Sequence, residues 1–196
     1  MQITQRIGRF WGLILLLALP GCGYNSIQAA DEDVKAGWAD VQNQFQRRMD
    51  LIPNLVKTVK GAAAFERETL QGVIEARSQA AGVKMDASIL DDPGAFARFQ
   101  QAQNQLGSAL QRLLVVVERY PDIKTTAAFR DLQAQLEGTE NRIAVARRRY
   151  IENVAAYNKL VRQFPTNLTA RYLLGVEVRP SFEAIAGSET PPEVDF

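Results

Sequence analysis

The chain reads as all-α: an elongated antiparallel up-and-down helical bundle of three long helices plus a short C-terminal fourth. Three observations predict this. Ala, Leu, Arg and Gln are the most frequent of the 196 residues, and these, with Glu, are good helix formers. No clean period-two alternation is visible, as a half-buried strand would require. Three segments carry apolar residues at alternating spacings of four and three, the mark of a helix packed along one seam. A chain of this length suits one domain with a sizeable core better than two.

The first helix is expected to start near Asp31, Glu32 and Asp33, where negative charge favours a helix N-terminus. Its seam runs Val34, Trp38, Val41, Phe45, Ile52, Leu55 and Val59. The rhythm demands an apolar residue at position 48, and the chain supplies Arg48, with Met49 beside it. The stretch Arg47-Arg48-Met49-Asp50-Leu51-Ile52-Pro53-Asn54-Leu55-Val56 therefore breaks its own pattern. Pro53 removes a backbone hydrogen bond and is expected to kink the axis. Beyond it, Phe65, Leu70, Val73 and Ala80 continue in a shifted phase to an end at Ala80-Ala81-Gly82. Two readings stand for Arg47, Arg48, Asp50, Pro53 and Asn54. Arg47, Arg48 and Asp50 form a local charge network, with the Arg48 stem laid along apolar surface, or the kink and its charges make a notch in which a partner docks, with Arg48 and Asp50 paired to another helix.

Gly82 to Gly94 reads as a connection. Asp92-Pro93 signals the next helix, Asp as cap and Pro in the first turn. Its seam is Phe96, Phe99, Gln103, Leu106, Leu110, Leu113, Val117 and Tyr120, with Gln103 the one polar intruder. Tyr120-Pro121-Asp122 ends it and turns the chain back antiparallel. The third helix, about Ile123 to Arg162, carries Phe129, Leu132, Leu136, Thr139, Ile143, Ala146, Tyr150, Asn153, Tyr157 and Leu160. At 1.5 Å per residue it makes a rod of about 60 Å. Arg147-Arg148-Arg149 spans three faces, so at least one arginine lies near the seam. Phe164-Pro165-Thr166-Asn167 breaks the rod, Leu168 to Leu174 allows a short fourth helix, and Arg179-Pro180-Ser181-Phe182 turns back towards the bundle. Ser188 to Phe196 reads as disordered tail.

The N-terminus carries an address. Arg6 and Arg9 precede the apolar run Phe10 to Leu19, and Leu19-Pro20-Gly21-Cys22 follows. The run is half of the roughly 20 residues a spanning helix wants, and fits a secretory signal. The tetrapeptide resembles a bacterial lipobox, with Cys22 as lipid-attachment residue; the alternative is an uncut segment serving as a short transmembrane anchor. Residues 1–21 are thus a targeting segment, 22–30 an anchor linker, 31–185 the bundle and 186–196 the tail. Either anchor places the bundle outside the cytoplasm, in the bacterial envelope, and on the outer membrane for a lipoprotein of a cell that has one. Loss of residues 1–21 leaves 21 basic against 22 acidic residues.

Composition excludes several chemistries. There is no histidine and Cys22 is the single cysteine, which rules out Cys/His zinc sites, Ser-His-Asp and Cys-His catalysis, and Glu-x-x-His di-iron bundles. Near-zero net charge without interleaved exposed aromatics gives no footprint for nucleic acid. Carboxylates such as Glu66, Glu75 and Glu140 remain as candidates for hydrolytic chemistry.

Gly21-Cys22-Gly23-Tyr24-Asn25, Arg47 to Val56, Val59-Lys60-Gly61 with Glu66, Glu75-Ala76-Arg77, Tyr157-Asn158 and Phe164-Pro165 together resemble the LemA family of bacterial membrane proteins. The resemblance covers about residues 21 to 185. It implies a long antiparallel bundle anchored to the membrane at its N-terminus, and carries no catalytic residues or cofactor with it. The functional expectation is a membrane-tethered, non-enzymatic scaffold or adaptor that binds another envelope protein through the bundle surface. An oligomeric membrane-organising protein is the alternative, and a carboxylate-dependent hydrolase the third reading.

Overall fold

The computed structural model describes residues 23–61 and 65–183. The targeting segment 1–21, Cys22 and the tail 186–196 lie outside the described residues. Among the described residues are six α-helices and no strand. They are α1 Tyr24–Lys60, α2 Arg67–Gly82, α3 Pro93–Val117, the single turn α4 Pro121–Lys124, α5 Ala127–Arg162 and the turn α6 Thr166–Leu168. A 3-10 turn, Ala87–Asp91, precedes α3, and a π turn, Thr169–Leu174, follows α6.

The expected first long helix is two helices. α1 begins at Tyr24, ahead of the acidic run, and stops at Lys60; α2 restarts at Arg67 and doubles back, so that Arg77 lies beside Met49. The shifted apolar phase beyond Val59 therefore belongs to a separate, reversed helix, not to a kink. α1 passes through Pro53 without ending. α5 likewise starts at Ala127, later than expected, because Thr126 caps it: its Oγ1 accepts the Phe129 N–H at 3.3 Å. The α3 start follows its signal, with the Asp92 carboxylate accepting the Ala95 N–H at 3.0 Å and Pro93 in the first turn.

α1 and α5 form the spine, each about 55 Å long at 1.5 Å per residue. Asp33 meets Asn153, Trp38 meets Tyr150 and Arg48 meets Glu140, so partner numbers fall as α1 rises and the pair is antiparallel. They approach closely at Gly37. A Cβ there would come within 2.9 Å of the Asn153 amide nitrogen and 3.4 Å of the Tyr150 Cα. That approach lets Asn153 donate to the Asp33 carbonyl at 2.7 Å, and the buried seam position passes to Val154 instead. The α2–α3 hairpin packs across this spine.

Burial divides the interior in two. Towards the start of α1 the core holds Trp38, Phe45, Phe96, Phe99, Tyr150, Tyr157 and Phe182 with Ile27, Val34 and Ile143. Towards its end the core is mostly aliphatic: Ile52, Leu55, Val59, Leu70, Val73, Leu106, Leu110, Leu113 and Leu136. α2 is too short to cover both halves. Over the aromatic half its place is taken by the strap that follows the π turn, Val176 to Glu183, which carries Phe182 into the core.

A buried arginine layer as candidate functional site

The boundary between the two cores falls at Arg48. Its seam position is buried, only 3 % exposed, and Met49 beside it is buried as well. The reason the helix tolerates a guanidinium there lies on the other helices. Arg48 Nη1 donates to Glu140 Oε1 on α5 at 2.9 Å, and Nη2 donates to Gln103 Oε1 on α3 at 2.6 Å and to the Gln103 carbonyl at 3.1 Å. The guanidinium carbon sits 5.0 Å above the Phe45 ring. Thr139, the polar residue in the α5 seam, is fully buried and turns its hydroxyl onto the Gln135 carbonyl at 2.7 Å. Each of the three seams thus contributes one polar residue at the same height. A buried guanidinium is costly unless paired and hydrogen-bonded. Glu140, its side chain half exposed, supplies the charge.

Pro53 and Arg77 form a second, coupled device. Proline has no N–H to give the carbonyl four residues earlier, that of Met49. Arg77 Nε, reaching across from α2, donates to that carbonyl at 3.1 Å. The proline that was expected to bend α1 also frees an acceptor on which α2 docks. A buried carbonyl without a partner costs free energy comparable to a lost hydrogen bond, so the two residues explain each other.

The stretch from Arg47 to Asn54 is therefore split. Arg48 faces inward and its partners are within the chain. Arg47, Asp50, Pro53 and Asn54 are exposed on α1. Asp50 accepts from Gln46 Nε2 at 2.8 Å, and the Asn54 carbonyl accepts the Thr58 hydroxyl at 2.9 Å. The carboxylate candidates are scattered. Glu66 pairs with Arg119 at 2.9 Å and accepts the Thr69 hydroxyl, Glu75 accepts from Gln71, and Glu140 belongs to the arginine layer. Among the described residues no group of three or more His, Cys, Asp or Glu is placed to hold a metal ion. Sequence reasoning marked Arg48 and Gln103 as intruders in separate seams but did not pair them, and it missed Arg77 and Glu140 as their structural complements. The signal that could have paired them is the equal height of the two intruders once α1 and α3 are laid side by side.

The strap over the aromatic half is held by polar contacts. Asn158 on α5 reads the Arg179 backbone twice, accepting its N–H at 2.8 Å and donating to its carbonyl at 3.0 Å. The Tyr150 hydroxyl donates to the Pro180 carbonyl at 2.8 Å. The Arg179 guanidinium pairs with Asp31 at 2.8 Å and also with Asp91. Burial would push the Asp31 carboxyl up, but hydrogen bonds from Lys35 and Arg179 outweigh it and hold it below its ordinary value. Of the three consecutive arginines, Arg147 is half-buried with its guanidinium 4.5 Å from the Phe182 ring centre, and burial followed by the nearby Arg48 charge lowers its pKa.

Comparison with known proteins adds the lineage. The model of the LemA family matches residues 37–196, which include the arginine layer, the Pro53–Arg77 device and the strap. The chain belongs to the LemA family. Relatives of this LemA-family chain include the magnetosome proteins MamQ 1 and MamQ 2 of Paramagnetospirillum magneticum, each 27% identical over 184 residues, covering 86% of this chain and 67% of the relative. MamQ of Magnetospirillum gryphiswaldense is 27% identical over 163 residues, covering 75% of this chain and 60% of that protein. Protein LemA of Metamycoplasma hominis is 22% identical over 178 residues, covering 87% and 77%. Among the described residues no helix is long and apolar enough to cross a membrane. The run Phe10 to Leu19 and Cys22, on which the anchor reading rests, lie outside them.

Proposed function

We propose that this LemA-family protein is a membrane-tethered, non-enzymatic scaffold or adaptor of the bacterial cell envelope. Its bundle stands outside the cytoplasm and binds another envelope protein through its surface, with residues 1–21 and Cys22 providing the tether. The observation that carries the reading is the division of the Arg47–Asn54 stretch. Arg48 is consumed in closing the bundle, while Arg47, Asp50, Pro53 and Asn54 remain exposed on a rigid helix. Membership of the LemA family and relatives named as magnetosome proteins support a place at a membrane. The separate engagement of Glu66, Glu75 and Glu140 speaks against a carboxylate pair acting as acid and base, which would have to share one site.

A photo-crosslinking residue placed at Asn54 in intact cells tests this. The expected outcome is a discrete adduct with an envelope protein that is absent when the same group stands at Glu152, exposed on α5, and that is lost in Asp50→Arg. An adduct pattern identical at both positions, and unchanged by Asp50→Arg, removes the docking role from this stretch. The oligomeric membrane-organising reading draws on apolar side chains exposed along the rod, Ile74, Val115 and Val145 among them. Light scattering that finds a strict monomer at high concentration counts against it.

A further inference from the structure

We infer that the end of the bundle formed by the start of α1 and the turns after α5 lies against the bilayer surface, with apolar side chains entering the headgroup region and arginines meeting anionic lipid. The inference rests on the tether proposed above and goes beyond it, because a tether alone leaves the orientation of the rod free.

Three observations converge on this end. The first is apolar exposure. Of the ten large hydrophobic side chains exposed among the described residues, five are Tyr24, Phe164, Leu168, Tyr172 and Leu173. Phe164 and Tyr172 are 76% and 78% exposed, more than any of the others. They sit together because Gly23, immediately before α1, lies against Thr166: a Cβ on Gly23 would collide with the Thr166 side chain, and its φ of 99° is itself a glycine conformation. The junction of α1 is thereby locked onto α6, between Phe164 and Leu168. Leu168 and Leu173 are five residues apart across a π turn, so they share a face.

The second is charge. Residues 159–176 contain Lys159, Arg162 and Arg171 and no acidic residue, and residues 23–30 carry no charge at all. Lys159, Arg162 and Arg171 are exposed. In a chain whose basic and acidic residues nearly balance, 23 against 22, these two segments carry positive charge alone around an apolar centre, and the first acidic side chains after them are Asp31 on α1 and Glu177 at the start of the strap. Aromatic rings with polar edges and basic side chains are the residues favoured at the headgroup level, where an anionic surface attracts each basic group.

The third is reach. Leu19, the last residue of the apolar run, is four residues from Gly23, and Cys22 is its neighbour. Four extended residues span at most about 14 Å. Whether the run is kept in the bilayer or Cys22 carries a lipid, the patch is delivered to the membrane surface. A bilayer is thus the occupant that this face meets by construction, ahead of a second copy of the chain.

The full chain reconstituted into vesicles of phosphatidylethanolamine and phosphatidylglycerol tests this, with Trp11→Phe throughout, the emission of the buried Trp38 subtracted with the Trp11→Phe parent, and brominated acyl chains as quencher. In Tyr172→Trp the emission is expected to shift to the blue and be quenched. In Val115→Trp, exposed near the end of α3 on the aliphatic half, it is expected to do neither. Adding Arg162→Gln and Arg171→Gln to Tyr172→Trp is expected to weaken the quenching, as is replacing phosphatidylglycerol with phosphatidylcholine. Co-flotation of the chain with vesicles while Tyr172→Trp stays unquenched overturns this inference alone; failure to float overturns the tether and this inference with it. Shielding of Tyr172→Trp from brominated lipid and from aqueous iodide alike, with crosslinks between chains, assigns the face to a second copy and overturns the bilayer contact.

Discussion

The two halves of the bundle solve the same packing problem with different materials. In the aliphatic half the fourth element is a helix, α2, and the core is filled by Leu, Val and Ile. In the aromatic half the fourth element is an irregular strap, and Trp38 lies within 5.2 to 6.3 Å, ring centre to ring centre, of Phe99, Tyr150, Phe96 and Phe182. A helix satisfies its own backbone, so α2 needs from its neighbours mainly apolar area. A strap has no internal ladder, and each buried carbonyl or N–H must find a side chain. Asn158 and Tyr150 supply them, and Gln100 adds an exposed bond to the Glu183 carbonyl. Aromatic rings compensate for the thinner cover, since each buries about 150–250 Å² and Tyr and Trp bring a donor with them. The Trp38 indole N–H uses its own on the Met85 carbonyl, at 3.1 Å, tying in the connection ahead of α3.

The largest effect is expected at the centre of the aromatic half. Trp38→Ala should cost about 3–5 kcal/mol in chemical denaturation, and it should raise hydrogen exchange in residues 176–183 well before residues 106–117. Equal loosening of both halves would break the distinction drawn between them. Next comes the boundary. Arg48→Ala leaves Gln103 without its donor and opens a void, and is expected to cost about 3 kcal/mol. The double variant Arg48→Met/Gln103→Leu should be within about 1 kcal/mol of the parent, because a well-packed apolar pair replaces a buried polar one at little net cost. If the double variant is as unstable as Arg48→Ala, the layer contributes more than mutual compensation.

A smaller effect is expected at the strap alone. Asn158→Ala removes both bonds to the Arg179 backbone and should cost about 1–2 kcal/mol, read as faster exchange confined to residues 176–183. The smallest is a pH effect. Asp31 has its pKa depressed, so its contribution is fully present above the ordinary value of 3.8 and is lost as pH falls through the lower folded value. Exchange in the strap should therefore rise below about pH 4 while the aliphatic half stays protected, and Asp31→Asn should abolish that step. A strap whose protection is flat with pH would remove the Asp31–Arg179 pair from what holds it.

Several features of the fold were legible because they are local. The seams of α3 and α5 followed from four-three spacing, and Asp92-Pro93 marked a helix start by the chemistry of its own few residues. The division of the first long pattern into α1 and α2 was not legible. Apolar spacing resumes after Gly61 in a shifted phase, and a kink and a reversal leave the same trace in one dimension. Pro53 drew attention to itself and away from Gly61. In the candidate site, Arg48 was recognisable as the residue out of place, but its partners were not.

What the sequence determined by itself is helix content, the apolar face of each helix and the identity of the residues that interrupt those faces, since all three depend on neighbours within a few turns. Only the tertiary structure decided which interruptions meet. Arg48 finds Gln103 at a separation of 55 residues and Glu140 at 92, and Arg77 finds the carbonyl freed by Pro53 at 28. Those pairings depend on the relative register of whole helices, and one turn of slip, about 5.4 Å, would dissolve every one of them while leaving each helix's own pattern intact.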